Sequence, residues 1–116
     1  MFTTRVLATS DVKEMSVFGL KQLMEEKAVF QLIDVREPWE YQKCNIGGEL
    51  IPMNDIPLNV DKIRADRDVI IMCRSGKRSA NVIRFLMQNY PQLRLYNLQG
   101  GILEWSNHID SQIEQY

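Results

Sequence analysis

Apolar positions recur along the chain with two alternating periods. Val17, Leu20, Leu23 and Met24 fall at helical spacing behind Ser16, a residue type that caps helix starts. VFGLKQLMEEK is therefore predicted as an amphipathic helix. VFQLIDV (29–35) is apolar, rich in strand formers and ends in a carboxylate, which reads as a buried strand. Pro38 lies near the start of a short helix in REPWEYQK, where its missing N–H costs nothing. GGELIPM (47–53) is predicted as a short strand after a glycine turn, and NDIPLNVDKIRADRD as loop with one short helix. DVIIM (68–72) is a third buried strand. In SANVIRFLMQNY, Val82, Ile83, Leu86 and Met87 share one helical face, and Pro91 stops that helix. LRLYNL (93–98) is a further strand. GGILEWSNHIDSQI is read as the last helix, with Ile102, Trp105, Ile109 and Ile113 three and four residues apart. Residues 1–12 lack clear periodicity and are expected to form a loose lead-in.

Strands alternating with helices predict an α/β domain with a mostly parallel sheet. Ligands of such sheets bind beyond the carboxyl ends of the strands. The stretch CRSGKRS (73–79) falls at one such end, directly after DVIIM. A chain of 116 residues suits one domain and can bury a core without staples. A net charge of −1 gives no global field to recruit nucleic acid or an acidic membrane, so cation effects must be local. Two cysteines, Cys44 and Cys73, make no disulfide framework and point to a reducing compartment. The first residues lack the basic start and apolar run of a signal peptide, and no apolar run approaches the roughly 20 residues of a membrane span. The expected location is cytoplasmic.

Cys73 stands beside Arg74, Lys77 and Arg78, just before a predicted helix start near Ser79. Cations and a helix N-terminus both favour a thiolate over a thiol. Ser75 and Gly76 are small enough to let the backbone curl, so that successive N–H groups converge on one point. That arrangement suits a nucleophile that accepts a group from an anionic donor. The bland alternative, a buried strand-end cysteine followed by a solvated basic turn, explains the burial but not the clustering of cations.

Three motifs together resemble the rhodanese domain, a sulfurtransferase module, over residues 13–113. LIDVREPWEY (32–41) resembles the family's L-x-D-V-R-E-x-x-E-[FY] segment, CRSGKRS its C-x4-R active-site loop followed by Ser, and LQGGILEW (98–105) its L-x-G-G-[IFM]-x-x-W segment. The resemblance implies a three-layer α/β/α domain with a mostly parallel five-stranded sheet. It implies Cys73 as nucleophile, carrying sulfur as a persulfide between an anionic donor such as thiosulfate and a thiol or cyanide acceptor. Arg74, Ser75, Gly76, Lys77, Arg78 and Ser79 would bind substrate, with Arg78 on the donor anion. No metal or organic cofactor is implied. Phosphatases of the same fold carry C-x5-R; the shorter ring here suits a sulfur atom on the thiolate rather than a phosphate. An inert regulatory domain would usually lack the cysteine. A persulfide carrier serving a protein partner remains the alternative to a free enzyme.

Asp34 and Arg36 end a strand on the same edge as the loop. Arg36 is expected at the pocket mouth, or with Asp34 in a fold-stabilising ion pair, while Asp34 fixes neighbouring loops. Trp39 and Tyr41 are read as core or rim, Gly100 and Gly101 as a tight strand-to-helix turn, and Trp105 as packing its helix on the sheet. Cys44 and Asn45 stand where the family commonly has Gly and His. Cys44 is read as a semi-buried filler, with a second redox thiol as its alternative. His108, the one histidine, is expected at the surface or in packing.

Overall fold

The computed structural model describes residues 12–116. The expected lead-in therefore lies, apart from Val12, outside the described residues. Five parallel strands form one sheet in the order β1-β5-β4-β2-β3, where β1 is Glu14–Met15, β2 Phe30–Asp34, β3 Glu49–Leu50, β4 Asp68–Met72 and β5 Arg94–Leu98. The helices are α1 (Val17–Glu25), α2 (Pro38–Lys43), α3 (Lys77–Asn89) and α4 (Gly101–His108), with two 3-10 turns at Met53–Leu58 and Val60–Lys62.

Side-chain alternation along β4 divides the core in two. Val69, Ile71 and Cys73 face one side, where α3 supplies Val82, Ile83 and Leu86. Ile70 and Met72 face the other, where Val17 and Leu20 of α1 meet Ile102 and Trp105 of α4. Ser16 caps α1 as expected, its hydroxyl accepting from Gly19 N–H at 3.0 Å. The edge strand β3, expected as a short strand after a glycine turn, is two residues long: Gly47 turns at φ +89°, and Pro52 has no N–H for a ladder. β1, unmarked by periodicity because two residues show none, pairs Glu14 with Asn97 and Met15 with Leu98 on β5.

Two helix limits differ from the sequence reading. α3 starts at Lys77 rather than near Ser79, because Gly76 takes a left-handed conformation (φ +102°) that turns the chain into the helix. α4 ends at His108, well before Ile113. Trp105 O accepts both Ile109 and Asp110 N–H, the chain turns back, and Ser106 Oγ donates to Ile113 O. Residues 109–116 thereby run back as a tail towards the loop after β4, where Arg74 meets Tyr116.

Candidate active site

Cys73 leaves the carboxyl end of β4 and is buried. Its Sγ accepts from Gly76 N–H at 3.1 Å and from Ser79 N–H at 3.4 Å, and lies 3.3 Å from Ser79 Oγ. The converging N–H groups come from the left-handed glycine and the first turn of α3, a nest suited to an anion. The loop is held from behind by the start of α4, where Ile102 N–H donates to Cys73 O and Leu103 N–H to Arg74 O. With carbonyls bound outward, N–H groups are left to point inward. Gly76 O is held in turn by Asn97 Nδ2 at 3.2 Å, and Asn97 Oδ1 accepts from Ser79 Oγ at 2.5 Å.

The three loop cations have separate environments. Arg78 forms a two-pronged pair with Glu40 at 2.7 and 2.9 Å. Glu40 is buried, and chiefly the Arg78 hydrogen bonds hold its carboxyl down at about 2, against the opposing effect of burial. The Glu40 pairing likewise raises the Arg78 guanidinium, with a further contribution from Cys73. Arg74 donates through Nε and Nη2 to the main-chain oxygen of Tyr116 and lies 5.2 Å from the centre of its ring. Lys77 is exposed and makes no ion pair among the described residues, and Ser75 is exposed beside it. Lys77 and Arg78 occupy the first turn of α3, where the helix dipole disfavours cations. A helix optimised only for stability would carry carboxylates there.

Arg36 does not reach the pocket mouth. Its side chain is wholly buried, with Nη2 2.7 Å from Asp34 Oδ2 and Nε 2.9 Å from Asp34 Oδ1. Burial works against its charge, and the bonds it donates to Asp34 and Tyr116 more than offset this. Its remaining donors meet Cys44 O at 2.8 Å and the Tyr116 hydroxyl at 2.9 Å. The physical reason is saturation: a guanidinium this fully engaged ties β2, α2 and the tail together and has little left for a ligand. Asp34 also accepts from Arg36 N–H, so it fixes this turn. Trp39 is at the rim, exposed, with its ring edge-on to Tyr116 at 5.8 Å. Tyr41 donates to Gly48 O at 2.7 Å. Cys44 is a free, half-buried thiol whose Sγ donates to Glu114 O at 3.3 Å. His108 is exposed beside Glu104.

Four contributors escaped the sequence reading: Glu14, Glu40, Asn97 and Tyr116. Glu40 stood in the first family motif without being given a role, and three residues after Glu37 in a capping box that the structure forms. Tyr116 carried no signal. Its hydroxyl donates to Glu40 Oε1 at 2.8 Å, bridging that carboxylate to Arg36.

With fold and loop in place, comparison with known proteins becomes specific. Residues 18–108 match the model of the rhodanese-like domain, and the chain belongs to that family. It is 39% identical over 98 residues to a sulfurtransferase of Allochromatium vinosum, covering 84% of this chain and 91% of that protein. It is 34% identical to the putative sulfurtransferase YtwF of Bacillus subtilis, covering 82% and 91%. The crystal structure of a rhodanese-like domain protein from Staphylococcus aureus superposes with a TM-score of 0.76 at 30% identity, covering 90% of this chain and 99% of that one. No helix among the described residues is long and apolar enough to cross a membrane.

Proposed function

We propose that the protein is a sulfurtransferase in which Cys73 carries sulfane sulfur as a persulfide. The reading rests above all on one observation: two main-chain N–H groups converge on Cys73 Sγ, at 3.1 and 3.4 Å, in a C-x4-R loop. In the first half-reaction the Cys73 thiolate attacks the outer sulfur of thiosulfate. A new S–S bond forms, the donor's own S–S bond breaks, and sulfite leaves with the electron pair. In the second, a thiolate or cyanide attacks the outer sulfur of the persulfide and releases the Cys73 thiolate. The two half-reactions are ping-pong. Lys77 and Arg74 draw the anionic donor in, and the N–H groups of the loop hold charge on sulfur. Arg78, expected on the donor anion, is engaged by Glu40 and braces α2 against the loop from behind, while Arg36 ties the α2 segment to β2 through Asp34. The names of the curated relatives support sulfur transfer as the reaction class.

Intact mass of the reduced protein after brief exposure to thiosulfate tests this, with Cys73→Ser and Cys44→Ser alongside. The expected result is a gain of one sulfur that cyanide removes, retained in Cys44→Ser and absent in Cys73→Ser. Loading only from a protein persulfide donor would assign the carrier role instead. No loading from either, on protein with a free thiol, would overturn sulfur transfer.

A further inference from the structure

The hydrogen bonds around Ser79 fix where its single proton goes. Asn97 Nδ2 faces three acceptors: Gly76 O at 3.2 Å and the two Glu14 carboxylate oxygens at 3.3 and 3.2 Å. None of them can donate, so the amide nitrogen must point at them and Oδ1 must point at Ser79. Oδ1 cannot donate either. At an O···O distance of 2.5 Å, the Ser79 hydroxyl proton is therefore committed to Asn97. What Ser79 Oγ then presents to Cys73 Sγ, 3.3 Å away, is a lone pair. Ser79 and Asn97 are buried, so no bulk water competes for these positions. The charged groups around the pair are Glu14, reaching Asn97 from β1, and Arg78, held by Glu40 of α2.

We infer that Asn97, oriented by Glu14, is a positioning residue that denies the Ser79 hydroxyl proton to Cys73, so that Ser79 Oγ opposes negative charge on Sγ and favours the persulfide over the bare thiolate. In a thiol, S–H donates to Ser79 Oγ and the contact is satisfied. In a thiolate, an anion faces a lone pair, and only the Gly76 and Ser79 N–H groups stabilise it. In a persulfide anion the charge resides on the outer sulfur, one atom further from Oγ, and the opposition is relieved. The bonds made and broken are those of the half-reactions above; the device changes only their equilibrium. The functional consequence rests on Cys73 being the sulfur carrier, whereas the proton assignment stands on hydrogen-bond chemistry alone.

The test is the sign of one substitution. The thiolate ultraviolet absorbance at neutral pH, taken as the difference from Cys73→Ser, is compared in wild type, Ser79→Ala, Asn97→Leu and the double variant. Ser79→Ala keeps its main-chain N–H and is expected to raise the thiolate-to-thiol ratio by roughly 2- to 10-fold, the range of one hydrogen bond. Asn97→Leu frees the hydroxyl to turn towards sulfur, so removing it in that background lowers the fraction. An unchanged or lower fraction in Ser79→Ala itself, a small change that tests the proposal even if Asn97→Leu does not fold, would overturn it. With thiosulfate and sulfite at fixed ratio, Ser79→Ala is also expected to hold less persulfide than wild type by intact mass; an equal or greater load would overturn the bias towards persulfide. The absorbance is read without any sulfur donor, so failure of sulfur loading in wild type and failure of the proton assignment are separate results.

Discussion

Gly101 shows how one missing Cβ shapes the reactive loop. Its φ is +59°, and a Cβ there would stand 2.4 Å from Cys73 O and 2.5 Å from Arg74 O. Those carbonyls accept from Ile102 and Leu103 N–H, so a side chain at 101 would push the loop off the start of α4. Gly76 differs. It too is left-handed, but the nearest atoms to a Cβ there lie at 3.5 Å, which is ordinary contact. Gly76→Ala should cost about 1–2 kcal/mol through backbone strain alone. Gly101→Ala adds a backbone clash to similar strain, so its loss of persulfide loading should be at least about tenfold greater, the effect of roughly 1.4 kcal/mol at the reacting sulfur. Urea unfolding and persulfide mass on both variants check this. Equal loading in the two would sink the close-approach argument. The LQGG motif disclosed the turn; that its second glycine serves the cysteine loop could not be seen without the packing of α4 against it.

At the scale of elements, what was legible depended on whether burial leaves a period. DVIIM and the face of α3 were legible because a strand between two apolar layers and a one-sided helix each write a pattern that water enforces. The same reasoning overextended α4. Ile113 falls at helical spacing and packs against the core, but it does so from the returning tail, since periodicity records burial rather than helix. β1 is too short to carry a period. The cysteine loop was legible because its chemistry is local in sequence. Its supports were not, because Glu14, Glu40, Asn97 and Tyr116 are brought to it from four separate segments. Arg36 was visible, but the choice between pocket mouth and ion pair was not, since its direction depends on α2 and the tail. Its true position yields a prediction. Arg36→Ala leaves the Asp34 carboxylate buried without its partner, and should destabilise the fold by about 3–5 kcal/mol in chemical denaturation. Arg36→Lys should recover little of this, because one ammonium cannot span Asp34, Cys44 O and Tyr116 together. Near-complete rescue by lysine would show that charge alone matters there.

Over the whole molecule, Glu40 is the point where separate segments meet. It lies on α2, binds Arg78 of α3 and receives the hydroxyl of Tyr116, which also holds Arg36. A carboxylate bound this way makes the fold sensitive to acid. Its folded value of about 2 lies below the ordinary 4.5, so the folded state binds its proton less readily than the unfolded chain. The stability it contributes is complete above the ordinary value and is lost as pH falls through 4.5 towards 2. Arg78 is 31% exposed, so solvent screening reduces the effect to the order of 2 kcal/mol. Glu40→Gln cannot take up this proton. It should be less stable than wild type at neutral pH by about that amount, and the gap should close as the solution is acidified. Asp66 is also held low by its arginine neighbours, Arg67 foremost, but it is present in both proteins and cancels in the difference. Urea unfolding of the two proteins from neutral pH down to about pH 2 measures the gap directly. Stability curves that stay parallel across this window would mean that Arg78 and Tyr116 do not hold Glu40 ionised.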